Sequence, residues 1–187
     1  MPFTQTGFPD LLIFEPAVFG DDRGYFFESY NAGTFTKDGN ISIKFVQDNQ
    51  ARSVYGVVRG LHFQSMPFAQ TKLIRALQGT ILDVVVDLRV GSPSWGKVFS
   101  IELSAENKKQ LLVPQGFAHG YSVLSETAEV FYKCDQFYNK GAEGGVAYND
   151  PALQIDWKVP ADRMILSPKD MVWPAFSDCS HNFVFEP

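Results

Sequence analysis

The residues most capable of chemistry are concentrated in one stretch of the chain, residues 59–75. Two runs within it alternate in side-chain character as β-strands do, and residues 66–69 predict a turn or short loop between them. Two neighbouring strands joined in this way would bring His62, Gln64 and Lys72 to a common region. An imidazole and an ammonium group in one cleft suit proton abstraction with stabilisation of the negative charge that develops.

Alternation also predicts which side chains share a face of the first strand. A strand over residues 57–64 separates two sets of side chains: Val57, Arg59, Leu61 and Phe63 on one face, and Val58, Gly60, His62 and Gln64 on the other. Taken alone, a histidine at such a position is as often a hydrogen-bonded core residue as a catalytic one. The role of His62 therefore depends on what the rest of the chain supplies.

The composition is that of an ordinary globular protein, and it argues against several functional classes. With 187 residues, 45% of them apolar and 20% charged, the chain predicts one domain over residues 1–187 with a sizeable core. A formal net charge of −5 and a pI near 5.1 argue against a nucleic-acid or anionic-membrane binder. A small phosphorylated substrate stays compatible, because a few arginines in a cleft reverse the local potential.

The cysteines and the ends of the chain predict a cytoplasmic location. Cys134 and Cys179 show no metal-binding or redox spacing, so a reducing compartment is the default. The N-terminal residues lack the basic region and apolar run of a signal peptide, and no apolar run approaches transmembrane length. We therefore expect a cytoplasmic protein without a membrane partner.

The strongest strand signal covers residues 79–89, where a nearly continuous apolar run indicates burial on both faces. Asp83 lies inside this run. A buried carboxylate is costly unless a partner satisfies it, and a buried histidine or lysine is the natural candidate. We pair it with His119, which follows the tight turn of the Pro-x-Gly-x-x-His sequence at residues 114–119.

Two further segments could contribute to a site. A strand over residues 130–138 would place Tyr132 on one face and Lys133 on the other. Residues 41–49 alternate and then become polar, which predicts a strand that ends near residues 47–49. Three polar residues at a strand end form either a turn or an amide-rich recognition patch.

The number of short strands predicts an all-β fold. Ten or more turn-bounded strands with little helix indicate a β-sandwich or barrel. Within that class, residues 60–64 and 114–119 are similar to the two histidine-bearing motifs of cupins, which are jelly-roll barrels. Metal-binding cupins carry His-x-His in the first motif, whereas this chain reads His62-Phe63-Gln64. Two imidazoles make a poor transition-metal site, so we predict no metal.

From about residue 12 to residue 173 the chain resembles the dTDP-4-dehydrorhamnose 3,5-epimerases, which are metal-free cupins of dTDP-L-rhamnose synthesis. Each block that carries the resemblance is weak alone, but their order and spacing together are specific. The blocks are residues 22–26 with Glu28, 47–49, 59–64, 70–73, 83–89 with 92–93, 114–120, 132–134 with Tyr138, and 166–170. The resemblance implies a cupin-type jelly roll with a few short peripheral helices, a homodimer and no cofactor.

The resemblance also implies a mechanism on a dTDP-linked 4-keto-6-deoxy sugar. The ketone makes the hydrogens on both neighbouring carbons removable, because the carbanion delocalises as an enolate. His62 matches the family's base, and Asp170 matches the partner that orients its imidazole. Without the resemblance, the local sequence favours Asp170 as a helix cap. Tyr132 matches the acid, and Lys72 lies where the enolate oxygen needs positive charge.

Substrate-binding residues follow from the same resemblance. Arg23 and Arg59 match diphosphate contacts, for which a planar cationic fork is suited. Tyr138 matches the ring that stacks on thymine. The remaining matches to binding positions are Phe26, Glu28, Gln47, Asp48, Asn49, Lys72, His119, Glu143 and Lys169.

Three alternatives stay open at the level of sequence. A single-site epimerase of another deoxysugar pathway would keep the fold and invert one carbon only. A metal-dependent cupin would require a ligand set that this chain lacks. A non-catalytic sugar-nucleotide-binding cupin would bind its ligand without exchanging protons.

Overall fold

The computed structural model describes residues 2–186, which form an antiparallel β-structure of two facing sheets. The six-stranded sheet has the order β1-β2-β10-β7-β12-β5, the five-stranded sheet has the order β13-β6-β11-β8-β9, and β3 and β4 form a separate hairpin. The strands are β1 (Phe3–Gln5), β2 (Leu12–Phe14), β3 (Phe19–Asp21), β4 (Gly24–Phe26), β5 (Gln47–Val54), β6 (Val58–Gln64), β7 (Lys72–Gln78), β8 (Thr80–Asp87), β9 (Val98–Ser104), β10 (Gln110–Val113), β11 (Phe117–Val123), β12 (Thr127–Cys134) and β13 (Glu143–Gly145).

Helices are few among residues 2–186. The α-helix α1 (Ala32–Gly39) begins after Asn31, whose side chain accepts hydrogen bonds from the amides of Gly33 and Thr34. Three 3₁₀ helices cover Lys140–Ala142, Ala161–Arg163 and Phe176–Asp178. Within residues 2–186, no helix has the length and apolar character needed to cross a bilayer. The predicted all-β, cupin-type fold with short peripheral helices is confirmed.

Strand β8 explains how the core is divided. It lies between β11 and β9, and every residue after Thr80 is buried, as the continuous apolar run predicted. Alternate residues enter two different cores because successive side chains point to opposite faces. Ile81 and Val85 pack between the sheets. Leu82, Val84 and Val86 pack under the long segment that follows β13.

The same alternation points polar side chains into the space between the sheets. Asp83 lies between Ile81 and Val85 on β8, so it faces inward. His119 on β11 shares its face with Phe117 and Tyr121, which belong to the inter-sheet core. The interior between the sheets is mostly apolar, but polar side chains collect at one end of it. The candidate site lies at that end.

The predicted strand over residues 41–46 is wrong, and residues 47–49 do not end a strand. β5 begins at Gln47, and its eight residues pair along the whole of β12, from Gln47 opposite Cys134 to Val54 opposite Thr127. β5 is an edge strand of the six-stranded sheet with one exposed face. Polar residues are compatible with such a strand, so polarity there did not indicate a turn.

The prediction that Arg59 and His62 face opposite ways is also wrong, because both line the same cavity. In the pairing of β6 with β11, the three-residue step from Arg59 to His62 lies opposite the two-residue step from Tyr121 to His119. One extra residue is thus accommodated in β6 as a β-bulge, which reverses the alternation. Gly60 makes this possible: its φ is +124°, and a Cβ there would lie 2.5 Å from Gly120 Cα.

Candidate active site

A cavity of about 500 Å³ opens at the end of the inter-sheet space where the inward-facing polar residues collect. Strands of both sheets contribute to it, and a loop near the C-terminus closes one side. The residues that line it are Ala51, Val57, Val58, Arg59, His62, Lys72, His119, Gly120, Tyr121, Tyr132, Ile165, Leu166, Ser167, Lys169 and Asp170. All four residues predicted to be catalytic are therefore brought to one place.

His62 and Asp170 form a close pair. His62 Nε2 lies 2.5 Å from Asp170 Oδ1, and the other carboxylate oxygen accepts a hydrogen bond of 2.7 Å from the hydroxyl of Ser167. Burial opposes the ionisation of Asp170, but hydrogen bonds to His62, Ser167 and the Gly60 amide outweigh it, so the pKa of Asp170 lies below its ordinary value. Asp170 is thus an anion that orients the imidazole.

This pairing determines which ring nitrogen is available. An ionised Asp170 can only accept a hydrogen bond, so Nε2 carries the proton, and in the neutral imidazole Nδ1 is then unprotonated. Among residues 2–186, no group forms a hydrogen bond with His62 Nδ1. The imidazole therefore presents a free basic nitrogen, as a general base requires. The predicted alternative for Asp170, a helix cap, is wrong because residues 168–171 form a turn rather than a helix.

Tyr132 and Lys72 lie together on the six-stranded sheet. Lys72 Nζ is 5.9 Å from the centroid of the Tyr132 ring. Burial raises the pKa of Tyr132 to about 12, so its hydroxyl keeps its proton near neutral pH and can donate it. Burial also lowers the pKa of the Lys72 ammonium, against the opposing effect of negative charges that include Asp83 and Glu143.

His119 and Asp83 form a second imidazole–carboxylate pair at the base of the cavity. His119 Nε2 lies 2.9 Å from Asp83 Oδ2, and both residues are buried, with 7% and 0% exposure. The pairing predicted from the cost of burying Asp83 is confirmed.

Removing the carboxylate of Asp83 is expected to destabilise the fold. Asp83→Ala leaves His119 without its buried partner, and breaking a buried pair costs about 3–5 kcal/mol. Asp83→Asn keeps the shape and one hydrogen bond, so it should cost less. Urea denaturation followed by circular dichroism measures both. Equal midpoints for Asp83→Ala and the unmodified chain would contradict this expectation.

A second polar group lies beside the loop that closes the cavity. Glu143 accepts hydrogen bonds from Lys169 Nζ and, at 3.2 Å, from the hydroxyl of Tyr138. The amide of Tyr138 donates to Gln47 Oε1 at 3.0 Å. Four residues predicted to bind substrate are thus joined in one hydrogen-bonded chain, although Lys169 alone among them lines the cavity.

The polar triplet at the start of β5 is divided between two faces. Gln47 donates to Asn49 Oδ1 at 3.0 Å, and Asn49 donates to the thiol of Cys134 on the same face. Asp48 points the opposite way and pairs with Lys133 at 3.0 Å. Gln47 and Asn49 thus belong to the amide-rich patch, whereas Asp48 lies on the outer surface of this chain.

Three further predicted substrate contacts also lie outside the cavity lining of their own chain. Arg23 is at the tip of the β3–β4 hairpin, where it pairs with the carboxylate of Asp21. Phe26 on the same hairpin is 66% exposed, and Glu28 accepts a hydrogen bond from Asn31. None of the three therefore lines the cavity that contains His62.

Sequence reasoning missed two side chains near His62. Ser167 bonds Asp170 in both directions, since its hydroxyl donates to the carboxylate and accepts from the Asp170 amide. The Ser-x-x-Asp spacing is a local turn signal that could have indicated this. Trp173 packs beside His62, and nothing in the local sequence signals that contact.

Comparison with known proteins places these observations in a family. The family model described as dTDP-4-dehydrorhamnose 3,5-epimerase matches residues 5–178. A protein of that name from Pseudomonas aeruginosa is 51% identical to the chain over 178 residues, which are 95% of this chain and 97% of the relative.

Solved structures give the same result. A dTDP-4-dehydrorhamnose 3,5-epimerase from Elizabethkingia anophelis is 54% identical with a TM-score of 0.91, over 94% of this chain and 96% of that one. A dTDP-6-deoxy-D-glucose-3,5-epimerase from Legionella pneumophila, solved in complex with dTDP-4-keto-L-rhamnose, is 43% identical with a TM-score of 0.90, over 94% and 93% of the two chains.

Proposed function

Because the chain belongs to the dTDP-4-dehydrorhamnose 3,5-epimerase family, we propose that its cavity binds a dTDP-linked 4-keto-6-deoxy sugar through the residues assigned below. The enzyme is an epimerase that inverts carbon-3 and carbon-5 of this sugar in dTDP-L-rhamnose synthesis. The observation that carries the assignment is the 2.5 Å contact of His62 with Asp170 in a cavity that also contains Lys72 and Tyr132.

Each inversion requires a proton to leave one face of a carbon and another to arrive on the opposite face. In our proposal, His62 Nδ1 takes the proton from the carbon beside the ketone, and the electron pair of that C–H bond becomes the enolate. The imidazolium that results is stabilised by Asp170. The hydroxyl of Tyr132 then gives its proton to the same carbon from the other face, and the enolate returns to the ketone.

Lys72 supplies the positive charge that this sequence needs. The negative charge of the enolate develops on the carbonyl oxygen at carbon-4, in a largely buried cavity where a fixed cation is worth more than in water. Lys72 Nζ lies 5.9 Å from the centroid of the Tyr132 ring. The same ammonium is then placed to stabilise the phenolate left after Tyr132 has donated its proton.

The nucleotide part of the substrate is assigned to groups at and beside the cavity mouth. We propose that Arg59 and His119 contact the substrate inside the cavity. The hydrogen-bonded chain of Gln47, Tyr138, Glu143 and Lys169, with Asn49 beside it, would contact the thymidine and sugar portions. Tyr138 is 55% exposed, so its ring is open to stacking on thymine.

We also propose that the enzyme is a homodimer in which the β3–β4 hairpin serves the site of the other chain. Arg23, Phe26 and Glu28 are not among the residues that line the cavity of their own chain. Phe19, Tyr25 and Phe26 are each exposed by 64–66%, which is unusual for aromatic side chains of a water-facing hairpin. A hairpin of this kind would both bury its rings and deliver Arg23 to the neighbouring diphosphate.

Complementation between two inactive variants tests that arrangement. We expect Arg23→Ala and His62→Asn to have low activity separately. Mixed subunits should recover about one quarter of normal activity, because half of random dimers are mixed and each has one intact site. Recovery should require subunit exchange, so cross-linked parental dimers are the control. Absence of recovery in confirmed mixed dimers would place Arg23 in its own chain's site.

The reaction itself is tested by incubating the enzyme with dTDP-4-keto-6-deoxyglucose in heavy water. Inversion with deuterium uptake at both carbon-3 and carbon-5, followed by NMR, supports the proposed mechanism. Inversion at one carbon would indicate single-site epimerisation. If the substrate binds and neither carbon exchanges, the proton-transfer mechanism is wrong and a binding function is favoured.

A further inference from the structure

Trp173 packs against the imidazole ring of His62, the proposed base. The ring centroids of Trp173 and His62 are 6.0 Å apart, and their planes meet at 69°, which is an edge-to-face arrangement. Asp170 holds the imidazole at one atom, Nε2. A single hydrogen bond tolerates a range of angles, so it restrains the orientation of the ring only loosely. A second contact on the ring narrows that range.

The indole ring of Trp173 packs directly against a glycine. Gly145 on β13 lies directly opposite His62 on β6 in the strand register. A Cβ at Gly145 would lie 2.4 Å from Trp173 Cδ2 and 2.5 Å from Cε2, so the ring occupies the space that a side chain would take. The amide of Ala147 donates to the carbonyl of Pro174 at 2.8 Å, which ties the Trp173 segment to the chain after β13.

Packing rather than hydrogen bonding holds the indole in this place. Trp173 Nε1 is buried and has no hydrogen-bond partner among residues 2–186. On its other side, Lys169 Nζ lies 5.7 Å from the ring centroid, within the range of a cation–π contact. The ring is therefore confined between Gly145, His62 and Lys169.

We propose that Trp173 is a positioning residue that fixes the plane of the His62 imidazole and keeps Nδ1 directed into the cavity. The proposal rests on the proposed function, in which His62 is the base. Asp170 and Trp173 then restrain the same ring through two different contacts. A base that samples other orientations spends less time in line with the C–H bond, which lowers the rate of proton transfer more than the binding of substrate.

Kinetics of three variants test this role. Trp173→Ala should lower kcat by about tenfold to a hundredfold, the range produced by small misplacement of a reacting group, with KM changed by less than about threefold. Trp173→Phe keeps a ring beside His62 and should recover most of kcat. Trp95→Ala is the matched control, because Trp95 is half exposed and packs on Phe176 away from the cavity lining.

Gly145 provides an independent variant that retains the indole side chain but changes its position. Gly145→Ala should displace Trp173 and lower kcat by a similar factor. In the Trp173→Ala background the same glycine change should add little, because the ring it displaces is gone. Strong non-additivity in this double-mutant cycle indicates that both changes act through one contact.

A spectroscopic signature separates positioning from general loss of structure. The chain has three histidines, so ¹⁵N-histidine NMR resolves His62 from His119 and His181. In Trp173→Ala we expect the His62 signals to broaden or shift toward an average of orientations, while the other two remain unchanged. This readout does not need turnover, so it tests the packing even if the enzyme failed to epimerise the sugar.

Two results would overturn the proposal. One is a Trp173→Ala enzyme with kcat within about twofold of normal and unchanged His62 signals. The other is a rise in KM at constant kcat, which would assign the residue to substrate binding through Lys169. If Trp173→Ala does not fold, Trp173→Phe and Gly145→Ala decide the question by the same criteria.

Discussion

Replacing His62 by asparagine is expected to remove both epimerisation and the uptake of solvent deuterium at carbon-3 and carbon-5. Asparagine is polar and fits within the space of the histidine ring, but it has no basic nitrogen. Loss of a general base costs about 10²–10⁴-fold in rate, and we expect the upper part of this range because both inversions begin with the same base. Rates of product formation and deuterium incorporation by NMR measure the two effects.

The chain offers a matched control for this substitution. His181 lies outside the cavity lining, with its ring stacked on Phe183 at a centroid distance of 5.5 Å. His181→Asn should leave the rate of epimerisation unchanged within about twofold, because the substitution lies away from the active site and such changes usually have small effects. Binding of dTDP, measured by calorimetry, should be similar in both variants and in the unmodified enzyme.

One outcome would remove His62 from its assigned role. If His62→Asn still exchanges deuterium at a normal rate, another group must abstract the proton. The remaining titratable groups that line the cavity are Arg59, Lys72, His119, Tyr121, Tyr132, Lys169 and Asp170. Among these, His119 would be the first to test, although its burial and its pairing with Asp83 suit the role of base less well.

The fold and the centre of the site were predictable because their signals are local or energetic. Continuous burial of residues 81–87 followed from an apolar run, and the pairing of Asp83 with His119 followed from the cost of burying a carboxylate. Each signal describes a short segment or one buried charge. The arrangement of the catalytic residues came from the family resemblance.

Features that depend on two distant segments at once could not be predicted from sequence. The bulge that brings Arg59 to the side of His62 exists because Gly60 on β6 meets Gly120 on β11. The start of β5 at Gln47 depends on its partner strand β12, since the polar triplet reads locally as a turn. The contact of Trp173 with His62 joins residues that are far apart in the sequence. In each case the deciding contact is tertiary, and no periodicity in one segment encodes it.

Replacing Tyr132 by phenylalanine is expected to separate proton abstraction from inversion. The variant keeps the ring beside Lys72 and loses only the hydroxyl that donates from the second face. His62 can still remove a proton and return one to the face it came from. Deuterium should therefore continue to enter the sugar while net epimerisation falls by about 10²–10⁴-fold, the usual contribution of a general acid.

The informative quantity is the ratio of the rate of deuterium exchange to the rate of inversion. In the unmodified enzyme each exchange event should be linked to inversion, whereas in Tyr132→Phe most exchange should occur with retention of configuration. NMR of the sugar in heavy water reports both in one sample. Tyr55→Phe, outside the cavity lining, is the matched control and should preserve the normal ratio.

The opposite pattern would require a different acid. If Tyr132→Phe epimerises at the normal rate, the second proton comes from Lys72 or from water, and the high pKa of the buried phenol, about 12, would then mark a packing residue. If exchange and inversion fall together, Tyr132 supports the position of Lys72 rather than donating a proton, because loss of the cation's position slows enolate formation itself. Retained exchange with lost inversion is the result that only a proton donor on the second face produces, and this is why the geometry of His62 and Tyr132 on opposite sheets matters to the mechanism.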